Sequence, residues 1–124
     1  MSPDARQWLD LARYDIATAE AMLKSGRYLY VLFCCQQAVE KTLKACVIEK
    51  TNEFPARTHD LARLAREAEI TLSEEQDRFL RTLTKFYLGT RYPEEVNMLA
   101  KDATRDMAAS ICEEAKGFLG WLGK

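Results

Sequence analysis

The sequence has 124 residues, which is the length of one ordinary domain. Its 18 lysines and arginines against 19 aspartates and glutamates leave a formal net charge of −1, so the chain has no general positive field that would hold a nucleic-acid backbone. Segment 1–15 carries charges from Asp4 onward and has no long apolar run, so we expect no signal peptide, no membrane span and a cytoplasmic protein. Any nucleic-acid contact must be local.

The first predicted helix begins at Ser2 and Pro3, because serine is a favoured N-cap and proline fits the first helical position. We expect it to run to about Lys24 and to end near Gly26. Its apolar residues recur with the spacing of a core-facing helix. This inner stripe is predicted to contain Trp8, Leu11, Ala12, Ile16, Ala19, Met22 and Leu23.

Asp15 lies in the middle of that stripe. A carboxylate on an apolar face needs a donor, because an unpaired buried charge is costly. We therefore predict that Asp15 is buried and paired, with Arg91, Gln37 or Lys41 as its partner.

The second predicted helix, Tyr28 to Lys50, changes character along its length. Its first eight residues, YLYVLFCC, are apolar on every side, which indicates a segment covered by the bundle or by a second copy of the chain. The residues after Cys35 form a polar stripe, so we expect the Lys44 end to emerge into solvent. The members of this stripe are Gln36, Gln37, Glu40, Lys41 and Lys44.

The rest of the chain predicts three more helices. Thr58 is the expected cap of a short third helix, and Ser73 with Gln76 matches a capping box for the fourth. A break around Pro93 precedes a last helix at roughly 99–122. The fold class is therefore all-α, a single up-and-down bundle of about five helices in one domain, residues 1–124.

Four cysteines fall inside these helical segments, and none forms a C-x-x-C pair. Cys34 and Cys35 are adjacent, so their side chains point about 100° apart on a helix. We expect buried, reduced thiols, no metal site and no cofactor.

Four pieces of the sequence resemble the HEPN domain when taken in order. They are Trp8 and Asp15 in the first helix, the segment GRYLYVLFCCQQAVEKTLKA, the segment from Pro55 to Leu61 with THDL, and the segment from Tyr87 to Pro93 with RYP. HEPN domains are found in higher eukaryotes and prokaryotes and are named for proposed nucleotide binding. The resemblance implies a helical bundle that dimerises, a small cytoplasmic prokaryotic protein, and a minimal nucleotidyltransferase as partner in a toxin–antitoxin-like context.

Many HEPN proteins are metal-independent ribonucleases, and this implies an Arg followed after four to six residues by a His. Arg91 would need histidine at 96–98, where Val96, Asn97 and Met98 stand. His59, the chain's one histidine, would need arginine at 52–54, which holds Asn, Glu and Phe. The ribonuclease motif is absent, so we predict no catalytic residues.

Five residues form the candidate site for a nucleotide or a partner: Lys41, Lys44, His59, Arg91 and Tyr92. The two lysines suit phosphates, with a solvated stripe in which Glu40 pairs with Lys44 as the alternative. His59 is either a general base or a hydrogen-bonding residue at a helix start. Arg91 could bind a phosphate, and the Tyr92 ring could stack on a base. The alternative for Arg91 is a structural role, in which its hydrogen bonds only hold its own loop in place.

We assign structural polar roles to Asp15, Gln37 and Asp60. Two functions remain open. The first is a HEPN-type binding module, a homodimer that binds a nucleotide or RNA, a partner nucleotidyltransferase, or both. The second is a diverged ribonuclease that uses Arg91, with or without His59.

Overall fold

The computed structural model describes residues 1–123, which form six helices and no strand. In chain order these are α1 (Pro3–Lys24), α2 (Tyr28–Thr51), α3 (Leu61–Glu67), α4 (Glu74–Thr84), α5 (Pro93–Asp102) and α6 (Arg105–Leu122). The predicted all-α fold is confirmed. Within residues 1–123, none of the helices combines the length and the apolar character that a membrane crossing requires.

The helices α1 and α2 form an antiparallel pair. The Ser2 side chain accepts a hydrogen bond from the Ala5 N–H, as expected of an N-cap, and the Ser2 N–H donates to Glu49 near the end of α2 at 2.9 Å. The start of one helix therefore lies beside the end of the other. Helices α3, α4, α5 and α6 also contact α2, which makes α2 the central element.

An alanine seam holds α1 against α2. Ala5, Ala12 and Ala19 recur every seven residues and are all buried, so this side of α1 packs closely. Leu11 lies beside this seam with 51% of its surface exposed, so its predicted place in the inner stripe is wrong.

Side-chain caps begin both α3 and α4. Asp60, not Thr58, caps α3, since its side chain accepts from the Arg63 N–H at 3.2 Å. Thr58 acts one step earlier by accepting from the Asp60 N–H. The capping box of Ser73 and Gln76 at α4 is confirmed.

The predicted last helix is two helices, which raises the count from five to six. Ala103 is extended, and the Thr104 hydroxyl caps α6 by accepting from the Met107 N–H at 3.2 Å. Helix α5 begins at Pro93 instead of near 99. The Thr104 cap therefore divides a segment whose helical periodicity predicted one continuous helix.

The Lys44 end of α2 does not emerge into solvent, so that prediction is wrong. Gln36, Glu40 and Lys44 have relative exposures of 0%, 4% and 8%. These residues are four apart and form one stripe, which Trp8 of α1 and His59 of the loop before α3 contact.

Candidate functional site

The buried stripe of α2 is a hydrogen-bonded network centred on Glu40. The Glu40 carboxylate accepts from Gln36 Nε2 at 2.8 Å, and its other oxygen accepts from Lys44 Nζ at 3.1 Å. His59 Nδ1 lies 2.8 Å from the same oxygen that Gln36 reaches. Three partners compensate a carboxylate whose side chain is only 5% exposed. The Lys44 ammonium also lies 5.2 Å from the centre of the Trp8 ring, a cation–π contact.

His59 connects this network to the surface. Its ring stacks on Tyr87 with 3.5 Å between centroids and 13° between planes. Because Glu40 occupies Nδ1, Nε2 is the ring nitrogen left for a ligand, and the His59 side chain is 41% exposed. Thr84 fixes the adjoining segment, since its hydroxyl accepts from the Leu61 N–H at 3.2 Å and donates to the Leu80 carbonyl.

Arg91 is held in the turn before α5. Its Nη2 donates to the Lys85 carbonyl at 2.6 Å, and its Nη1 donates to Glu95 at 3.1 Å. Glu95 also accepts from the Tyr92 N–H at 3.3 Å, which ties the turn to the helix start. The Nε of Arg91 is buried and meets no acceptor within residues 1–123.

Arg91 and His59 meet in a surface cleft of about 360 Å³. Its walls carry hydroxyl, imidazole, guanidinium and carboxylate groups, so it suits a small polar ligand. The lining residues are His59, Asp60, Thr84, Tyr87, Thr90, Arg91 and Glu95.

Comparison with known proteins identifies this architecture. The model of the HEPN domain family matches residues 5–124, nearly the whole chain. The chain belongs to the HEPN domain family. A comparison with curated proteins finds no match.

Two solved structures resemble this HEPN domain over nearly their full length. TT1696 from Thermus thermophilus is 26% identical with a TM-score of 0.83, and 98% of each chain is covered. ST0689, an archaeal HEPN homologue, is 20% identical with a TM-score of 0.74, covering 98% of this chain and 97% of its own. The second likeness concerns the fold alone.

The structure of this HEPN domain brings together some of the candidate residues and separates others. His59 and Arg91 line the cleft, and Asp60 lines it while capping α3. Lys44 reaches His59 only through Glu40. Tyr92 is 75% exposed and does not line the cleft.

Lys41 forms an ion pair with Asp15, one of the three donors expected for that carboxylate. Asp15 is therefore paired as predicted, but its side chain is 20% exposed and so only partly buried. Gln37 donates to Gln36 at 2.9 Å and so extends the buried network. Both lysines of the candidate site therefore already hold carboxylates of the same chain.

Sequence reasoning missed the central role of Glu40 and the stacking role of Tyr87 in this HEPN domain. The four-residue spacing of Gln36, Glu40 and Lys44 was a usable signal, because side chains on one stripe can bond each other. That spacing does not say whether solvent or protein covers the stripe.

The four cysteines are free thiols. Cys35 and Cys112 are buried as expected, whereas Cys34 and Cys46 are only half-buried. Burial raises the pKa of Cys35 strongly, with a further contribution from neighbouring Cys112, so this thiol is neutral near pH 7. Within residues 1–123, the structure has no cluster of His, Cys, Asp or Glu suited to a metal ion.

Proposed function

We propose that this HEPN domain is a homodimeric binding module without an activity of its own. It binds the phosphate of a nucleotide in the cleft of His59 and Arg91, and it pairs with a minimal nucleotidyltransferase in a toxin–antitoxin-like context of a prokaryotic cytoplasm. The observation that carries the proposal is that Arg91, which is paired with the exposed Glu95, lines one cleft together with the chain's one histidine.

Arg91 suits a phosphate because one guanidinium nitrogen is held by the backbone, while the partner of another can be replaced. The Lys85 carbonyl holds Nη2 and orients the group. The pair with Glu95, whose side chain is 49% exposed, is a surface ion pair of small net stability. A phosphate can therefore replace Glu95 on Nη1 at little cost.

The surroundings of Arg91 suit the rest of a nucleotide. His59 offers Nε2 from a ring that Glu40 and Tyr87 hold in one orientation. Tyr92 is exposed next to Arg91 and can stack on a base. Lys41 and Lys44 have structural roles here, since each already pairs with a carboxylate.

The homodimer needs an exposed apolar surface. Val31, Leu32 and Cys35 of the segment YLYVLFCC are buried within the chain itself, so the bundle and not a second copy covers them. The exposed apolar side chains Leu11 and Tyr14 lie one turn apart on α1, at 51% and 73% exposure. We assign the self-association surface to this part of α1.

A binding experiment tests the nucleotide site. ADP and inorganic phosphate are titrated by calorimetry into wild-type protein and into Arg91→Gln at two salt concentrations. We expect Arg91→Gln to bind ADP at least about tenfold more weakly, a loss of ~1.4 kcal/mol, and with a smaller salt dependence.

Arg81→Gln is the matched control, because Arg81 also pairs with a carboxylate four residues away but lies outside the cleft. It should bind ADP as the wild type does. Equal affinities for Arg91→Gln and Arg81→Gln would refute the proposed site. The partner is tested separately, by co-purification with a nucleotidyltransferase encoded next to this chain.

A second candidate function is a diverged ribonuclease, favoured by the shared cleft of His59 and Arg91. Glu40 orients His59 through Nδ1, as a carboxylate orients a general base, and Arg91 would stabilise a phosphate. The test is cleavage of single-stranded RNA by wild type, His59→Asn and Arg91→Gln. We expect equal, background cleavage; activity in the wild type that both substitutions remove would favour the ribonuclease.

A further inference from the structure

A second cavity shares no lining residue with the cleft of His59 and Arg91. It has a volume of about 540 Å³, which is within the range of small-molecule sites. Helices α1 and α2 and the end of α6 form most of its walls. Its lining is mainly apolar and includes Leu9, Ala12, Ile16, Cys46, Leu119 and Leu122.

Small side chains form part of the wall of this cavity. Ala12 and Ala45 lie where α1 packs against α2, and Ala68 follows α3; all three line the cavity and are themselves buried. Cys46 is half-buried at the wall, and desolvation raises its pKa. The interior therefore offers apolar contact and a neutral thiol, which suits a hydrocarbon.

Three charged residues line the mouth of the cavity, and their existing partners differ in how firmly they hold them. Glu49 accepts a hydrogen bond from the Ser2 N–H. Arg13 and Lys50 have only loose partners, at 3.6 Å from Asp10 and 3.9 Å from Glu69, on side chains that are 72% and 52% exposed. Because such surface ion pairs are weak, another anion can replace the carboxylate in each of them.

We propose that this cavity binds an amphipathic carboxylate, a medium-chain fatty acid, with its hydrocarbon tail between α1, α2 and α6. The carboxylate lies at the mouth, where it pairs with Arg13 or with Lys50. The apolar interior excludes a fully polar ligand, and the two cations select an anionic head over a neutral one.

Methyl NMR with decanoate, decan-1-ol and butyrate as probes tests the proposal below the micelle concentration. Decanoate should shift the methyl signals of Leu9, Ile16, Leu119 and Leu122, decan-1-ol should bind several-fold more weakly, and butyrate should not bind. Absence of shifts at these methyls, or equal binding of decanoate and decan-1-ol, would overturn it.

Two sets of variants test the binding of the hydrocarbon tail and the binding of the carboxylate separately. Cys46→Leu narrows the cavity and should weaken decanoate binding severalfold, while Cys34→Leu is its control, since Cys34 is another half-buried cysteine of α2 outside the cavity. Arg13→Gln with Lys50→Gln should weaken decanoate severalfold and leave decan-1-ol unchanged, and Arg6→Gln should change neither. These exposed substitutions keep the test open should Cys46→Leu fail to fold.

Light scattering distinguishes a ligand from a second copy of the chain as the occupant. If Cys46→Leu lowers the oligomeric mass, the cavity is part of an interface and the fatty-acid proposal is refuted. ADP binding should be unaffected by Cys46→Leu, so this inference and the nucleotide site can fail independently.

Discussion

His59 and Glu40 approach within 2.8 Å, and this contact joins the loop before α3 to the middle of α2. The same carboxylate holds Gln36 and Lys44, so one buried group connects the core to the candidate cleft. A change at Glu40 should therefore alter both the stability of the bundle and the position of the His59 ring.

Replacing Glu40 with alanine should lower the free energy of unfolding by about 3–5 kcal/mol, because it leaves Lys44 buried without its carboxylate. Urea denaturation measures this loss. Glu40→Met combined with Lys44→Met should recover only part of it, since no unpaired charge remains but the buried Gln36 Nε2 loses its acceptor. Glu113→Ala, which breaks an exposed pair with Lys116, should cost less than about 1 kcal/mol. A single Glu40→Ala as mild as this control would contradict the structural role of the network.

A charge placed at Tyr14 should dissociate the proposed homodimer, because an ion is poorly accommodated in a desolvated interface. Light scattering should give twice the mass of one chain for wild type at micromolar concentration, and the mass of one chain for Tyr14→Glu. Phe54→Glu is the control, since Phe54 is 86% exposed in a loop outside α1. A wild-type protein that is monomeric, or a Tyr14→Glu that remains dimeric, would rule out this surface.

Thr104→Ala should destabilise the chain by about 1 kcal/mol, because it removes the cap of α6. Thr104→Ser retains a hydroxyl at the same position and should stay close to wild type. Thermal and urea unfolding report both values. If alanine and serine behave alike, the hydroxyl does not stabilise the start of α6.

Alkaline pH should weaken the fold through Cys35. Burial raises the pKa of this thiol above its ordinary value of 9.0, so the folded chain keeps the proton while the unfolded chain loses it. The associated stability is therefore fully present below pH 9 and is lost as pH rises toward the folded pKa, by up to about 1.4 kcal/mol per pH unit.

Urea denaturation of wild type and Cys35→Ala between about pH 7.5 and 10.5, under reducing conditions, measures this effect. The variant should be less stable near neutral pH because a buried side chain is truncated, but its stability should fall less steeply above the ordinary thiol pKa. Parallel slopes for the two proteins would show that Cys35 does not titrate in this way.

Local signals predicted the helices where the deciding contacts are local. Ser2 with Pro3 and Ser73 with Gln76 satisfy backbone N–H groups of the first turn, so the sequence contains the whole interaction. Such signals were overlooked at Thr104, where periodicity suggested one long helix. The all-α fold follows from helical periodicity along the whole chain, and this too is a property of neighbouring residues.

Whether a polar stripe is buried, in contrast, depends on residues that are distant in the sequence. Gln36, Glu40 and Lys44 have the same spacing whether water or protein covers them, so the sequence alone left them on a solvated face. Trp8 and His59 contact them only after the chain has folded back across α2. Burial of the network is decided by distant parts of the chain.

The candidate cleft likewise depends partly on the sequence and partly on the tertiary structure. The sequence by itself determined the helical fold and singled out His59 and Arg91 as unusual polar residues, but their spacing matched no catalytic motif. The tertiary structure decided that both line one cleft and that Asp15 and Glu40 already hold Lys41 and Lys44. The physical reason is that side-chain pairing between helices depends on how they pack, which no local spacing specifies.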